Sequence, residues 1–203
     1  IFRGFENIGT DYGMIMAVLG GDDAGGGVIW APQVIEDAAD HGLILGDNGK
    51  LYDTKKGQAL PAGVAPMPLL NDVELAAYPE LDAVDVIPGY IARYNDMMGM
   101  AGKKPVVVIG EDGMLRDKPG FEVNFVTRGS ASGNMHSHDV PSVLMPMRGH
   151  WRVTWDGGAA TLAPGDTMSV PGDLMHNAVP SMTGEASLFH VVATADAAGS
   201  TWK

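Results

Sequence analysis

From Pro105 onward the chain is a succession of short segments rich in β-branched and aromatic residues, each closed by turn residues. The segments are PVVVIG, FEVNFVTRG, SVLMPM, HWRVTW, AATL, TMSV and ASLFHVVATA. Between them lie GEDG, RGSASG, DGG, APGD, VPGD and SMTG. Glycine and proline at that frequency break any helix, whereas strands of four to eight residues fit between them. WRVTWDGGAATLAPGD reads as a hairpin leading into a further turn. Many short, closely spaced strands predict a mainly β sandwich, barrel or double-sheet jelly roll.

The first 115 residues have a different texture and predict a mixed α/β extension. YGMIMAVLGG and GGVIWAPQV read as two strands around the turn GDDAGGG. PQVIEDAADHGLILG carries Val34, Ile35, Ala38 and Ala39 near helical spacing. Two or three short helices are expected between Asn71 and Gly102, interrupted at Pro79 and Pro88 and capped by Asn71 or Asp72. The expected division is residues 1–115 and 116–203.

The 203 residues include no cysteine, which removes disulfides and thiolate metal sites together. A formal charge of −12 argues against nucleic acid or an anionic membrane as partner. MIMAVL and PVVVIG are too short to span a bilayer, and the start IFRGFENIGT has no apolar core of a signal peptide. A soluble, cytoplasmic protein is expected. Of the 25 acids, 18 precede Phe121, while five of the six histidines follow it. That asymmetry points to the C-terminal part as the seat of the chemistry.

His136 and His138 stand two apart, so in an extended segment both imidazoles face one side. His176 follows 38 residues later, after the turn VPGDLM. Three converging imidazoles suit a borderline divalent ion and leave positions open for substrate, dioxygen or water.

The frame around these histidines resembles the cupin superfamily. The pattern G-x5-H-x-H-x3,4-E-x6-G is met at His136, His138 and Gly149, and G-x5-P-x-G-x2-H-x3-N at Gly165, Pro171 and His176. The resemblance covers Gly120 to Thr194 and implies a cupin jelly roll with a metal held by the three histidines. It departs at Ser130, Ser142, Asp173 and Pro180, which stand at the leading glycine, the glutamate, the inner glycine and the asparagine.

Three histidines without the glutamate is the pattern of gentisate-type, salicylate and β-diketone-cleaving dioxygenases, which use Fe(II). That resemblance implies Fe(II), with Mn, Ni, Co or Zn as alternatives, and a small diphenol-like or enolisable substrate cleaved with O2. A lyase or isomerase independent of O2, or a non-catalytic ligand-binding cupin, is the alternative. Gentisate-type enzymes carry an arginine where this chain has Leu144, so recognition of a carboxylate from that strand is not expected. Self-association into a homo-oligomer is expected from the same likeness, and residues 1–115 are read as a mixed α/β extension or a degenerate cupin half.

Further polar candidates are few. Glu122, Asn124 and Arg128 share parity along FEVNFVTR, opposite Phe121, Val123 and Phe125. If that set faces the interior, Arg128 anchors a substrate anion and Glu122 acts as base or positions a ligand. If it faces out, both are solvated. His190, flanked by apolar residues in SLFHVVAT, is a core histidine or an acid/base of the pocket. His150 reads as a turn residue, and His41 is assigned no function. Trp151, Trp155, Met145 and Met147 read as core, or as pocket walls.

Overall fold

The computed structural model describes residues 5–17, 29–78, 91–116 and 121–193. Contacts divide the chain into two compact units, residues 1–13 with 23–82, and residues 14–22 with 83–203.

The first unit is small and mixed. Helix α1 (Pro32–Asp40) has proline at its start, where the missing N–H costs nothing. His41 ends it, its Nδ1 against the Asp37 carbonyl at 2.7 Å. Strands β1 (Leu43–Leu45) and β2 (Leu51–Asp53) pair antiparallel. A short helix α2 (Asp72–Leu75) is held by a capping box. Asn71 Oδ1 accepts from the Val73 and Glu74 amides, and the Glu74 carboxylate accepts from the Asn71 amide. The two strands expected around GDDAGGG do not form in residues 11–17 or 29–31, and residues 18–28 lie outside the described set. The breaks at Pro79 and Pro88 also fall outside it.

The second unit is a mainly β jelly roll built from two antiparallel sheets. After helix α3 (Tyr94–Met100) come β3 (Val106–Ile109), β4 (Phe121–Thr127), β5 (Ser142–Arg148), β6 (Trp151–Trp155), β7 (Gly158–Leu162), β8 (Met168–Val170), β9 (His176–Pro180) and β10 (Ser187–Ala193). One sheet has the order β3-β4-β10-β5-β8 and the other β7-β6-β9. Because β3 is hydrogen-bonded to β4, the expected division at 115/116 runs through the larger sheet. In this unit the strand absent from the sequence reading is β9, as β1 and β2 are in the first unit. Its residues HNAVP lack a β-branched run, and pairing with β6 imposes the extended form.

Both faces of the larger sheet are covered, which explains the near-continuous apolar character of β5 and β10. On one face Phe121, Val123, Phe125 and Val191 pack with Val106, Val108 and Met97 of α3. On the other, Leu144, Leu188 and Val170 pack with Trp151, Val153 and Leu162 of the smaller sheet. Trp151 and Phe125 are fully buried, and each contributes about 2–3 kcal/mol by removal from water. Met145 is buried and Met147 exposed although they stand two apart, because the pairing of β5 with β10 becomes irregular between Pro146 and Arg148. Among the described residues no helix is long and apolar enough to cross a membrane.

Candidate functional site

Two backbone devices bring the three histidines of the sequence pattern together. The first is an isolated bridge between His136 and His176. Each amide donates to the other's carbonyl, at 2.8 and 2.9 Å, so both side chains leave on the same side. The second is the turn Pro171–Leu174 between β8 and β9. The Asp173 amide donates to the His138 carbonyl at 2.6 Å, and the Leu174 carbonyl accepts from His176 Nδ1 at 2.9 Å. One turn therefore fixes the backbone of one histidine and the ring of another.

The departures from the cupin pattern are explained by this local geometry. Asp173 has φ +63°, the left-handed conformation that glycine would supply and that aspartate tolerates better than most residues. Gly172 is needed for a different reason. A Cβ there would lie 3.0 Å from the Asp139 carbonyl oxygen, so its bare backbone lets the turn pack onto the segment after His138. Ser130 needs no glycine conformation. Its Oγ accepts from the Thr127 amide at 2.8 Å, closing the turn after β4. Pro180 ends β9 on the sheet edge, where a missing N–H is tolerated.

The ring centroids of His136 and His176 are 4.6 Å apart, those of His136 and His138 5.5 Å, and those of His138 and His176 6.4 Å. All three line a cavity of ≈ 400 Å³ with Asn124, Leu144, Asn177 and His190. His136 Nδ1 is 3.1 Å from the Asn134 carbonyl, which, like the Leu174 carbonyl beside His176, can only accept. Both imidazoles are thereby held in the tautomer with hydrogen on Nδ1, leaving the Nε2 lone pair available. Nε2 of His138, His176 and His190 is buried without a hydrogen-bond partner. Three orphaned aromatic nitrogens in one cavity are costly unless something occupies them.

This donor set suits a first-row divalent ion. Two imidazoles sharing an ion through Nε2 have centroids no more than about 6.5 Å apart, given a metal–nitrogen bond of ~2.1 Å. That limit is a linear arrangement; at the 90–110° angles of an octahedral or tetrahedral ion the centroids lie about 4.5–5.3 Å apart, which His136–His176 and His136–His138 approach and His138–His176 exceeds. The rings are gathered but their nitrogens have not converged: among the described residues no set of three or more histidine or acidic side chains forms a ready metal-holding cluster. The fit therefore rests on donor chemistry, and filling the site requires the His138 and His176 rings to move toward one another.

His190, the fourth histidine, projects from β10 opposite Asn124 of β4 and Leu144 of β5. Its ring lies 4.9 Å from that of His138. Burial, then the neighbouring charges of His138, His136 and His176, lowers its pKa to about 4. It is a neutral imidazole facing the cavity. The pKa of His138 is lowered too, by burial first and then by His136 and His176, with Asp139 and Glu122 opposing.

The polar parity of β4 divides between cavity and surface. Asn124 lines the cavity and donates to Glu122 Oε1 at 2.6 Å, so Glu122 stands behind it on the same face. Arg128 does not reach the cavity lining. It is exposed, and its guanidinium donates to the Gly184 carbonyl at 2.7 Å and to that of Met182, tying down the β9–β10 loop. Ser142 is buried on the β5 face shared with Leu144, and its Oγ has no partner. Leu144 itself lines the cavity, so that wall is apolar where gentisate-type enzymes carry arginine. Sequence reasoning missed Asn177 and Lys103, which also line the cavity. Asn177 lies next to His176 in the chain, but Lys103 sits in a loop with no motif to mark it.

No protein-family model matches the chain, and no curated protein matches it in sequence. Among solved structures it is similar to a cupin-2 domain containing protein from Shewanella frigidimarina, at 15% identity over 51% of this chain and 95% of that one, with TM-score 0.40. Cupins are among its structural neighbours. A cupin-like protein from Thermotoga maritima is 18% identical over 46% of this chain and 69% of that one, with TM-score 0.39. KdgF from a Halomonas species is 24% identical over 40% and 76%, with TM-score 0.34.

Proposed function

We propose that the cavity is the active site of a metal-dependent cupin enzyme, with His136, His138 and His176 as ligands of an Fe(II) ion. The reaction is dioxygenase cleavage of a C–C bond in a small diphenol-like or enolisable diketone substrate. The observation that carries this reading is the set of orphaned Nε2 atoms, with Nδ1 of His136 and His176 each bonded to a main-chain carbonyl.

A bound Fe(II) with three neutral ligands keeps its full charge and supplies a template for an anionic bidentate substrate together with a route for electrons to dioxygen. The chain's own residues do the rest. Leu144, Val126 and Leu188 give the cavity apolar walls that exclude water from the substrate. Asn124, oriented by Glu122, presents an amide to the substrate's polar edge. His190 presents an unpartnered Nε2 to the cavity as the position for a transferred proton.

A second reading, an O2-independent lyase or isomerase at the same site, is favoured by His190 in particular, whose unpartnered Nε2 lines the cavity as a place for a proton acceptor. The two readings part in an oxygen electrode. Protein reconstituted anaerobically with Fe(II) is given a panel of diphenols and β-diketones, and one O2 is expected per substrate consumed. Turnover that persists without O2 selects the second reading.

A further inference from the structure

We infer that Lys103 is the specificity-determining residue of the cavity, binding the anionic group of a small organic carboxylate. The inference rests on the reading of this cavity as a substrate site. The chain carries a net charge of −12, so a cavity free of acidic side chains runs against its composition. Among the described residues, Lys103 is the only permanently charged side chain in the cavity lining. No aspartate, glutamate or arginine joins it.

Lys103 is also uncommitted. It is exposed in the loop after α3, and among the described residues no carboxylate pairs with it and no hydrogen bond holds its amine. Of the other basic residues, Lys104 is adjacent but absent from this cavity's lining, Arg128 is engaged with the carbonyls of Met182 and Gly184, and Arg148 with Glu185. With Leu144 making one wall apolar, Lys103 is the remaining cation able to hold an anion in the cavity. Its flexible, exposed ammonium draws a carboxylate toward the cavity it lines, an attraction that salt screens. The apolar walls then take the hydrocarbon part of the molecule, and its far end meets the histidines. The cavity's preference is set by charge at one end and by apolar surface between.

The test uses the purified full chain, with its metal content measured in parallel. Calorimetric titrations are run with benzoate and propanoate, each beside its neutral amide. Wild type is expected to bind the acids at least tenfold more tightly than the amides, a preference that weakens as salt rises. Lys103→Met should lose that preference while amide binding stays within about twofold, and Lys103→Arg should keep most of it. Lys103→Gln guards against any folding defect specific to methionine. Equal acid binding by Lys103→Met and wild type would overturn the inference, as would a wild type that does not prefer acids to amides. A wild type that lacks metal but discriminates through Lys103 keeps this inference and removes the metal-centred function. A metal-replete wild type without discrimination does the reverse.

Discussion

The main chains of His136 and His176 are hydrogen-bonded to each other in both directions, and their rings lie 4.6 Å apart. This isolated bridge joins residues 40 positions apart in sequence and lies outside the regular strand pairing. It makes the two imidazoles neighbours by backbone geometry, before any ligand is present. Replacing either ring by alanine leaves the bridge intact, so the loss is confined to chemistry. His136→Ala, His138→Ala and His176→Ala are each expected to lower metal retention at least tenfold with little change in far-UV circular dichroism. His150→Ala and His41→Ala, which lie away from the cavity lining, should retain metal as wild type does. Elemental analysis after gel filtration checks all five.

His190 makes stability depend on pH in a predictable direction. Its folded pKa of about 4 lies below the ordinary value of 6.5, so between those pH values the unfolded chain binds the extra proton. Stability is therefore full above pH 6.5 and falls as pH drops toward 4. From pH 7 to pH 5 this group alone contributes a loss of about 2 kcal/mol. Urea denaturation of metal-free protein should show that loss, and His190→Gln should flatten it. An equal slope in the variant would mean that other groups carry the acid sensitivity.

Gly149 follows β5 at φ +69°, and a Cβ there would lie 2.9 Å from the Glu185 carbonyl oxygen and 3.0 Å from the Ala186 Cβ. Both the left-handed backbone and the close approach to a main-chain atom oppose a side chain. Gly149→Ala is expected to cost about 2–3 kcal/mol in urea denaturation. Gly157, also at positive φ but with open space around it, should cost only the conformational share, about 1 kcal/mol.

Ser142 is 3% exposed and its hydroxyl is unpartnered, so it gives the fold little. Ser142→Ala should leave stability within about 1 kcal/mol of wild type, or raise it, because an unsatisfied polar atom is removed. Ser142→Glu restores the carboxylate of the usual cupin pattern on the strand face that Leu144 shares. Metal should remain bound while O2-dependent turnover falls, since a negative ligand lowers the charge on the ion. Unchanged turnover would show that three neutral ligands are not what the reaction needs.

Turn chemistry and alternation made most of the β architecture legible in the sequence. FEVNFVTRG became β4 with a burial period of two, whereas SVLMPM became β5 as a mostly buried run in a sheet covered on both faces. β9 escaped notice because HNAVP is extended through its partner β6 and not through its own propensity. The strands expected near residues 11–17 failed for the converse reason: apolar residues are present, but no partner strand pairs with them there. At the site, the spacing of His136, His138 and His176 was readable, as was the parity that puts Glu122 beside Asn124. What spacing could not tell was which face of β4 meets the cavity. That is decided by α3 covering Phe121, Val123 and Phe125 on the opposite side. Arg128 shares that parity, yet the turn closed by Ser130 carries it beyond the strand, to the carbonyls of Met182 and Gly184. Lys103 is brought in by the loop after α3, a tertiary relationship with no sequence signature.

The most direct measurement is the metal content of anaerobically purified protein, by elemental analysis, for wild type and for the His136→Ala/His138→Ala/His176→Ala triple variant. About one iron per wild-type chain and less than about a tenth as much in the variant is the expected result. Equal metal in both proteins, or none in wild type after reconstitution with Fe(II), would contradict a metal centre built from these three histidines.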